Sequence, residues 1–179
     1  MGTDKALLSL NGVALIERVL AASRPLEVPH LLIANNPSLD YLGLTRYADR
    51  RPDHGPLGGL YTALDAAPTQ SVLLLACDLP FITTAFLRFL ASGLLDYQAV
   101  IPADADGSHP LCALYDRSCL VLAQHALQEK RLRLKSFLKE LDVRYLAADE
   151  WRCFDPYQRL LANLNTPEQY RYYQEQKLD

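Results

Sequence analysis

The stretch Val72 to Cys77, six apolar residues in a row followed by Asp78 and then Pro80, constrains the fold of this chain more than any other feature. A strand with apolar side chains on both faces needs cover on both faces, as in a parallel sheet flanked by helices. Leu31 to Ile33, inside "HLLIAN", repeat the pattern on a smaller scale. Helical spacing alternates with such runs along the whole chain. Leu15, Ile16, Val19 and Leu20 predict a helix that ends before Pro25. Further helices are expected over about 60–67, from Thr83 to about Ala91, over 117–128, over 133–141 and from Pro167. Strands are expected at "ALLSL", "YQAVIP", "PLCALY" and "VRYLAA", with Asn11-Gly12 as a turn. The segment 35–59 reads as a long surface connection with one helical turn near Leu39 to Leu42, and connections of that length usually carry function.

Such alternation predicts an α/β fold: a three-layer α/β/α, Rossmann-like, doubly wound and mostly parallel sheet. With 179 residues and no linker, repeat or low-complexity tract, one domain over 1–179 is expected. A formal net charge of -3 offers no broad basic field, so phosphate-driven binding of nucleic acid is excluded as an expectation. No apolar run approaches the roughly 18 residues of a membrane span, and no signal-peptide pattern opens the chain, so the expected location is the cytoplasm. Cys77, Cys112, Cys119 and Cys153 form no C-x-x-C pair and have no histidines at metal-ligand spacing, which predicts buried free thiols. His30 and His125 read as structural, whereas His54 and His109 lie in polar loops.

Asp78 is the first candidate for chemistry. A carboxylate at the tip of an apolar strand sits at the carboxyl edge of the sheet, where open α/β folds bind ligands. There it can bind a hard cation such as Mg²⁺, which takes one or two carboxylates plus substrate phosphates; the plainer alternative is a surface loop aspartate. Lys5 offers a compact positive charge for a phosphate oxygen, although spacing alone leaves it a solvated lysine. "DRRPDHGPLGGL" brings Asp49, Gly55, Pro56 and Leu57 to the start of a helix, where glycines permit close approach and free N–H groups favour anions. A flexible turn ahead of a helix explains the same residues equally well. "NTPEQ" fits a capping box on Thr166 and Gln169, which leaves Asn163 and Asn165 unexplained. The basic run Lys130, Arg131, Arg133, Lys135 and Lys139 reads as a solvated helix face.

Taken together, these residues resemble the molybdenum cofactor guanylyltransferases, within the larger nucleotidyltransferase family that shares their fold. "MGTDKALL" is similar to that family's R-M-G-x-D-K-x-L-L stretch, "GPLGGL" to its G-P-L-A-G-L, and "ACDLPF" to its C-D-x-P-F/Y. "GSHPLCALY" resembles its H-P-x-x-A-L-Y and "ANLNTPEQY" its N-x-N-T-P-E/D-x-L, so five motifs fall in the family's order. The resemblance implies transfer of GMP from GTP to molybdopterin. It assigns Lys5 to the triphosphate, Asp78 to Mg²⁺, and Asp49 with the Gly55-Pro56-Leu57 turn to the nucleotide. Asn35 and Asn36 stand near a family asparagine at the end of the second strand, although the simplest alignment sets Ala34 opposite it. His109, Asn163 and Asn165 would flank the pterin. In the family a strand and a glycine-rich loop precede the D-K pair, so the sheet is expected to lack its first strand here, the chain beginning within that loop. CMP transfer, another nucleotide transfer on the same fold, and a non-catalytic pterin-binding homologue are the alternatives. Transient contact with molybdoenzymes or other cofactor-synthesis proteins is also implied.

Overall fold

The computed structural model describes residues 5–50, 54–93, 96–164 and 166–175. A 3-10 turn, Lys5–Leu7, leads into the hairpin of β1 (Ser9–Leu10) and β2 (Val13–Ala14). Asn11 and Gly12 both hold positive φ, 52° and 83°, the turn geometry whose twist suits antiparallel strands. The strand expected over "ALLSL" shrinks to its last two residues, because the Leu8 N–H closes the turn onto the Lys5 carbonyl at 3.1 Å. Helix α1 (Leu15–Ser23) buries Leu15, Ile16, Val19 and Leu20, and the Glu17 carboxylate caps it by accepting the Ala14 N–H at 3.1 Å.

Strand β3 (Leu31–Ile33) pairs in parallel with β4 (Thr45–Tyr47), which lies inside the segment expected to be a connection. The 3-10 turn Pro37–Leu42 between them contains the helical turn expected there. Thr45, Arg46 and Tyr47 carry no apolar run; their ladder to β3, not their composition, makes them a strand. Helix α2 (Gly55–Ala66) begins at Gly55 rather than near Leu60, since Pro56 and the glycines are tolerated in a first turn whose N–H groups have no helical partner. Next come β5 (Ser71–Leu75), α3 (Thr84–Ala91), β6 (Ala99–Asp104), β7 (Gly107–Ser108), β8 (Cys112–Asp116) and α4 (Cys119–Gln128). The chain continues through α5 (Leu134–Phe137), β9 (Val143–Leu146), α6 (Ala148–Trp151) and α7 (Pro167–Glu175).

The main sheet has β8 antiparallel to both β5 and β6, while β9 runs parallel to β6. Strands β5, β6 and β9 therefore share one direction and only β8 is reversed, because a tight β6–β7 hairpin leads into it and a connection that short permits no parallel crossover. Alternate residues feed opposite layers. Ala99, Ile101, Ala113 and Tyr115 pack with α2, α4 and α5, whereas Val100, Cys112 and Leu114 pack with Val19 of α1, Phe86 of α3 and Leu146 of β9. The result is the expected α/β architecture with a helical layer on each face. Strand β5 departs from expectation: all five of its residues are half-buried, and β8 is its one ladder partner among the described residues.

Candidate functional site

A small apolar cluster sets the geometry of the site. It joins Ala6, Ile16, Leu20 and Leu39 with the partly buried Ala34 and Cys77. Ala6 follows Lys5, Ala34 precedes Asn35, and Cys77 precedes Asp78, so one cluster anchors the backbone next to each of these three polar residues. Asp78 lies just beyond the end of β5, at the carboxyl edge shared with β6. Its carboxyl is pushed above the ordinary value mainly by partial burial, with its own backbone N–H and the charge of Lys5 pulling the other way. Lys5 and Asp78 are thus within electrostatic reach of each other. The Asp78 carbonyl also accepts the N–H of Leu164 at 3.1 Å. Leu164 is itself buried beside Leu10 and Leu15, which pins the 163–164 segment against the strand tip.

Asp78 is a partly buried carboxylate just beyond the strand end. Among the described residues there is no group of three or more His, Cys, Asp or Glu side chains suited to a metal. A lone carboxylate would suit Mg²⁺ only with the ion's other oxygens supplied by water and substrate phosphates.

A second group of polar side chains forms where β3 and β4 end beside α2. The Asp49 N–H donates to the Asn35 side-chain oxygen at 2.9 Å, and the Thr62 hydroxyl lies 3.3 Å from an Asp49 carboxylate oxygen. The same hydroxyl accepts the Arg50 N–H at 3.1 Å, so the buried Thr62 of α2 ties the loop to the helix. Gly55 opens α2 with φ +59° and, like Pro56, is exposed. Leu57 is fully buried, which leaves its backbone and not its side chain to face a ligand. The Asn36 side chain caps the 3-10 turn by accepting the Ser38 N–H at 2.9 Å. His54, absent from the sequence-based candidates, places a buried Nδ1 without a hydrogen-bond partner at the head of α2; an orphaned polar atom was its only signal, and that is structural.

His109 and Asn163 share a cleft of about 590 Å³ with Asp106, Glu168, Gln169 and Tyr172. His109 Nε2 lies 2.8 Å from Asp104 Oδ2. Burial alone would raise the Asp104 carboxyl, but the contact with His109 and the backbone N–H groups of Asp106 and Gly107 outweigh it and hold it below the ordinary range. The capping box is present: Thr166 N–H donates to Gln169 Oε1 at 3.1 Å and Gln169 N–H to Thr166 Oγ1 at 3.2 Å. Asn165, and Asp4 of the D-K pair, lie outside the described residues.

The remaining side chains have structural roles. His30 bonds Ser23 at 3.0 Å, His125 is exposed beside Glu129, and Arg131 pairs with Glu129 and Glu140 on a solvated face. Cys112 and Cys119 are buried free thiols, the latter pushed up to about 12 chiefly by burial. Cys153, expected to be buried, is exposed in the 3-10 turn after α6, and Cys77 is half-buried.

Open α/β sheets take ligands at the carboxyl edge, where Asp78 lies within electrostatic reach of Lys5. The MobA-like NTP transferase domain matches residues 1–145, and the chain belongs to that family of nucleotidyltransferases. It is 32% identical to the probable molybdenum cofactor guanylyltransferase of Carboxydothermus hydrogenoformans over 95% of this chain and 86% of that protein. It is likewise 32% identical to the molybdenum cofactor guanylyltransferase of Desulfosudis oleivorans, over 94% and 84%. In fold it is similar to the crystal structure of molybdopterin-guanine dinucleotide biosynthesis protein A from Archaeoglobus fulgidus, with a TM-score of 0.83 and 24% identity over 97% of this chain and 90% of that one. No helix among the described residues is long and apolar enough to cross a membrane.

Proposed function

We propose that the protein transfers GMP from GTP to the phosphate of molybdopterin, forming molybdopterin guanine dinucleotide and releasing pyrophosphate. The observation that carries this reading is the place of Asp78 beyond the end of β5, within electrostatic reach of Lys5, with the segment bearing Asn163 held on the Asp78 carbonyl. The names of the relatives support the choice of substrates. An oxygen of the acceptor phosphate attacks the α-phosphorus in line, the new P–O bond forms, and the bond to the bridging oxygen of the β-phosphate breaks. No protein nucleophile takes part, so catalysis is positioning and charge neutralisation. Lys5 supplies one positive charge to the phosphates. Bound Mg²⁺, held by Asp78, would supply a second.

Asp49, Asn35, Asn36 and the backbone of Gly55, Pro56 and Leu57 hold the nucleotide in this reading. His109, kept in place by Asp104, and Asn163 face the pterin in their shared cleft, and the N-x-N-T-P motif assigns Asn165 to the same substrate. The deciding experiment is pyrophosphate release with molybdopterin as acceptor and GTP, CTP or ATP as donor. GTP alone should support rapid, molybdopterin-dependent release. A preference for CTP would overturn the base assignment, and pterin binding without release from any nucleotide would overturn the enzymatic reading.

A further inference from the structure

A second cleft, of about 290 Å³, opens between the residues after Asp78 and the loop ahead of α7. Pro80 and Phe81 of the ACDLPF motif form part of its wall, and the rest of the lining falls outside the five motifs. Its walls mix polar and apolar surface, the apolar part coming from Phe81 and Ile82 on one side and Phe154 and Leu160 on the other. Two guanidiniums, Arg18 and Arg159, line it against a single carboxylate, Asp155, so it carries net positive charge. That carboxylate is already engaged, its Oδ1 accepting the backbone N–H groups of Arg159 at 2.8 Å and Leu160 at 3.0 Å. Arg18 commits part of its fork to the Leu10 carbonyl, 2.7 Å from Nη2.

Arg159 differs from Arg18, whose Nε and Nη2 both donate to the Leu10 carbonyl. The Arg159 guanidinium carbon lies 4.6 Å from the Tyr157 ring centroid and 5.1 Å from that of Phe81, and no acceptor among the described residues takes a hydrogen bond from it. Phe81 is in turn braced by Tyr173, their rings 4.7 Å apart. Contact with two aromatic faces restrains the head group through cation–π attraction while leaving its edge of donors uncommitted. Much of the side-chain freedom that binding would remove is already gone. A planar fork in that state matches the paired oxygens of a carboxylate or phosphate.

We propose that this cleft is an oxyanion site separate from the transfer site, taking a small organic anion, a carboxylate or phosphate ester on an apolar body, with Arg159 as bidentate clamp and Arg18 as second charge. Its volume lies at the lower limit of ligand pockets, roughly 300 Å³, which suits a single-ring compound. The inference rests on the Arg159 geometry and not on the identity of the transferred nucleotide.

Calorimetric titration of the full chain with phenyl phosphate, benzoate and inorganic phosphate tests it. One of the two ring compounds should bind more tightly than inorganic phosphate, and which one does so identifies the preferred oxyanion. Arg159→Ala should weaken that binding by about tenfold or more. Arg159→Lys should restore only part, because an ammonium lacks the fork. Lys5→Ala should leave it unchanged. In the unmodified chain, the Arg159 Nε–H resonance should shift as the probe is added. Unchanged affinity in Arg159→Ala, a still resonance, or equal loss in Lys5→Ala would each overturn the proposal.

Discussion

Strands β5 and β6 are built from similar apolar runs, yet β6 buries its first four residues while β5 leaves all five half-exposed. Composition does not explain the difference, since Leu73, Leu74 and Leu75 are as apolar as Val100 and Ile101. Neighbours do. Strand β6 lies between β8 and β9 with a helical layer on each face, whereas β5 has β8 alone as ladder partner among the described residues. The aspartates beyond the two strands repeat the contrast. Asp104, at the end of β6, is held low by His109 and two backbone N–H groups. Asp78, beyond β5, is pushed up by burial that its neighbours do not offset. The first is a structural fastener; the second carries an electrostatic demand that a bound cation would meet.

The largest effect expected from this contrast is on stability. Ile101→Ala in β6 should cost about 2–5 kcal/mol in urea unfolding, the range for a fully buried aliphatic side chain. Leu74→Ala in β5 should cost clearly less, and equal costs would break the comparison. Lys5→Ala tests the open side by activity, with turnover expected to fall by about 10- to 100-fold, the value of a charge-assisted contact, at an unchanged unfolding midpoint.

Asp104→Asn addresses the satisfied carboxylate. A carboxyl whose folded pKa is depressed adds stability above its unfolded value, here 3.8, and loses it as pH falls through the lower folded value. The variant should therefore be less stable by about 1 kcal/mol at neutral pH, and the gap should close below pH 3.8. A gap that widened on acidification would contradict the assignment. The smallest change is expected from Thr166→Ala, about 0.5–1 kcal/mol for a lost helix cap, read as fraying of α7 by amide exchange.

Local chemistry made several features legible in the sequence. The Asn11-Gly12 turn, the Thr166 capping box and the apolar run ending at Asp78 each follow from a rule confined to a few neighbouring residues. Strand β4 was invisible because Thr45–Tyr47 has no pattern until β3 lies beside it. The reversal of β8 depended on the Asp104–Gly107 hairpin, hidden in a segment that reads as loop. Site residues divide in the same way. Lys5 could not be distinguished from a solvated lysine by spacing, since what sets it apart is its tertiary placement within electrostatic reach of Asp78. Arg159 carried no sequence signal, because what sets it apart is two rings brought against it by tertiary structure.

The functional role of Asp78 is tested most directly by measuring turnover and unfolding of Asp78→Asn together. An acid whose folded pKa is raised lowers stability in full above that raised value, and the penalty shrinks as pH falls through it and is gone below the unfolded value of 3.8. Removing the charge should therefore leave the unfolding midpoint equal or higher at neutral pH while turnover falls by about 10²- to 10³-fold, as for a lost transition-state contact. A variant that unfolds earlier and keeps its turnover would show Asp78 to be a structural residue.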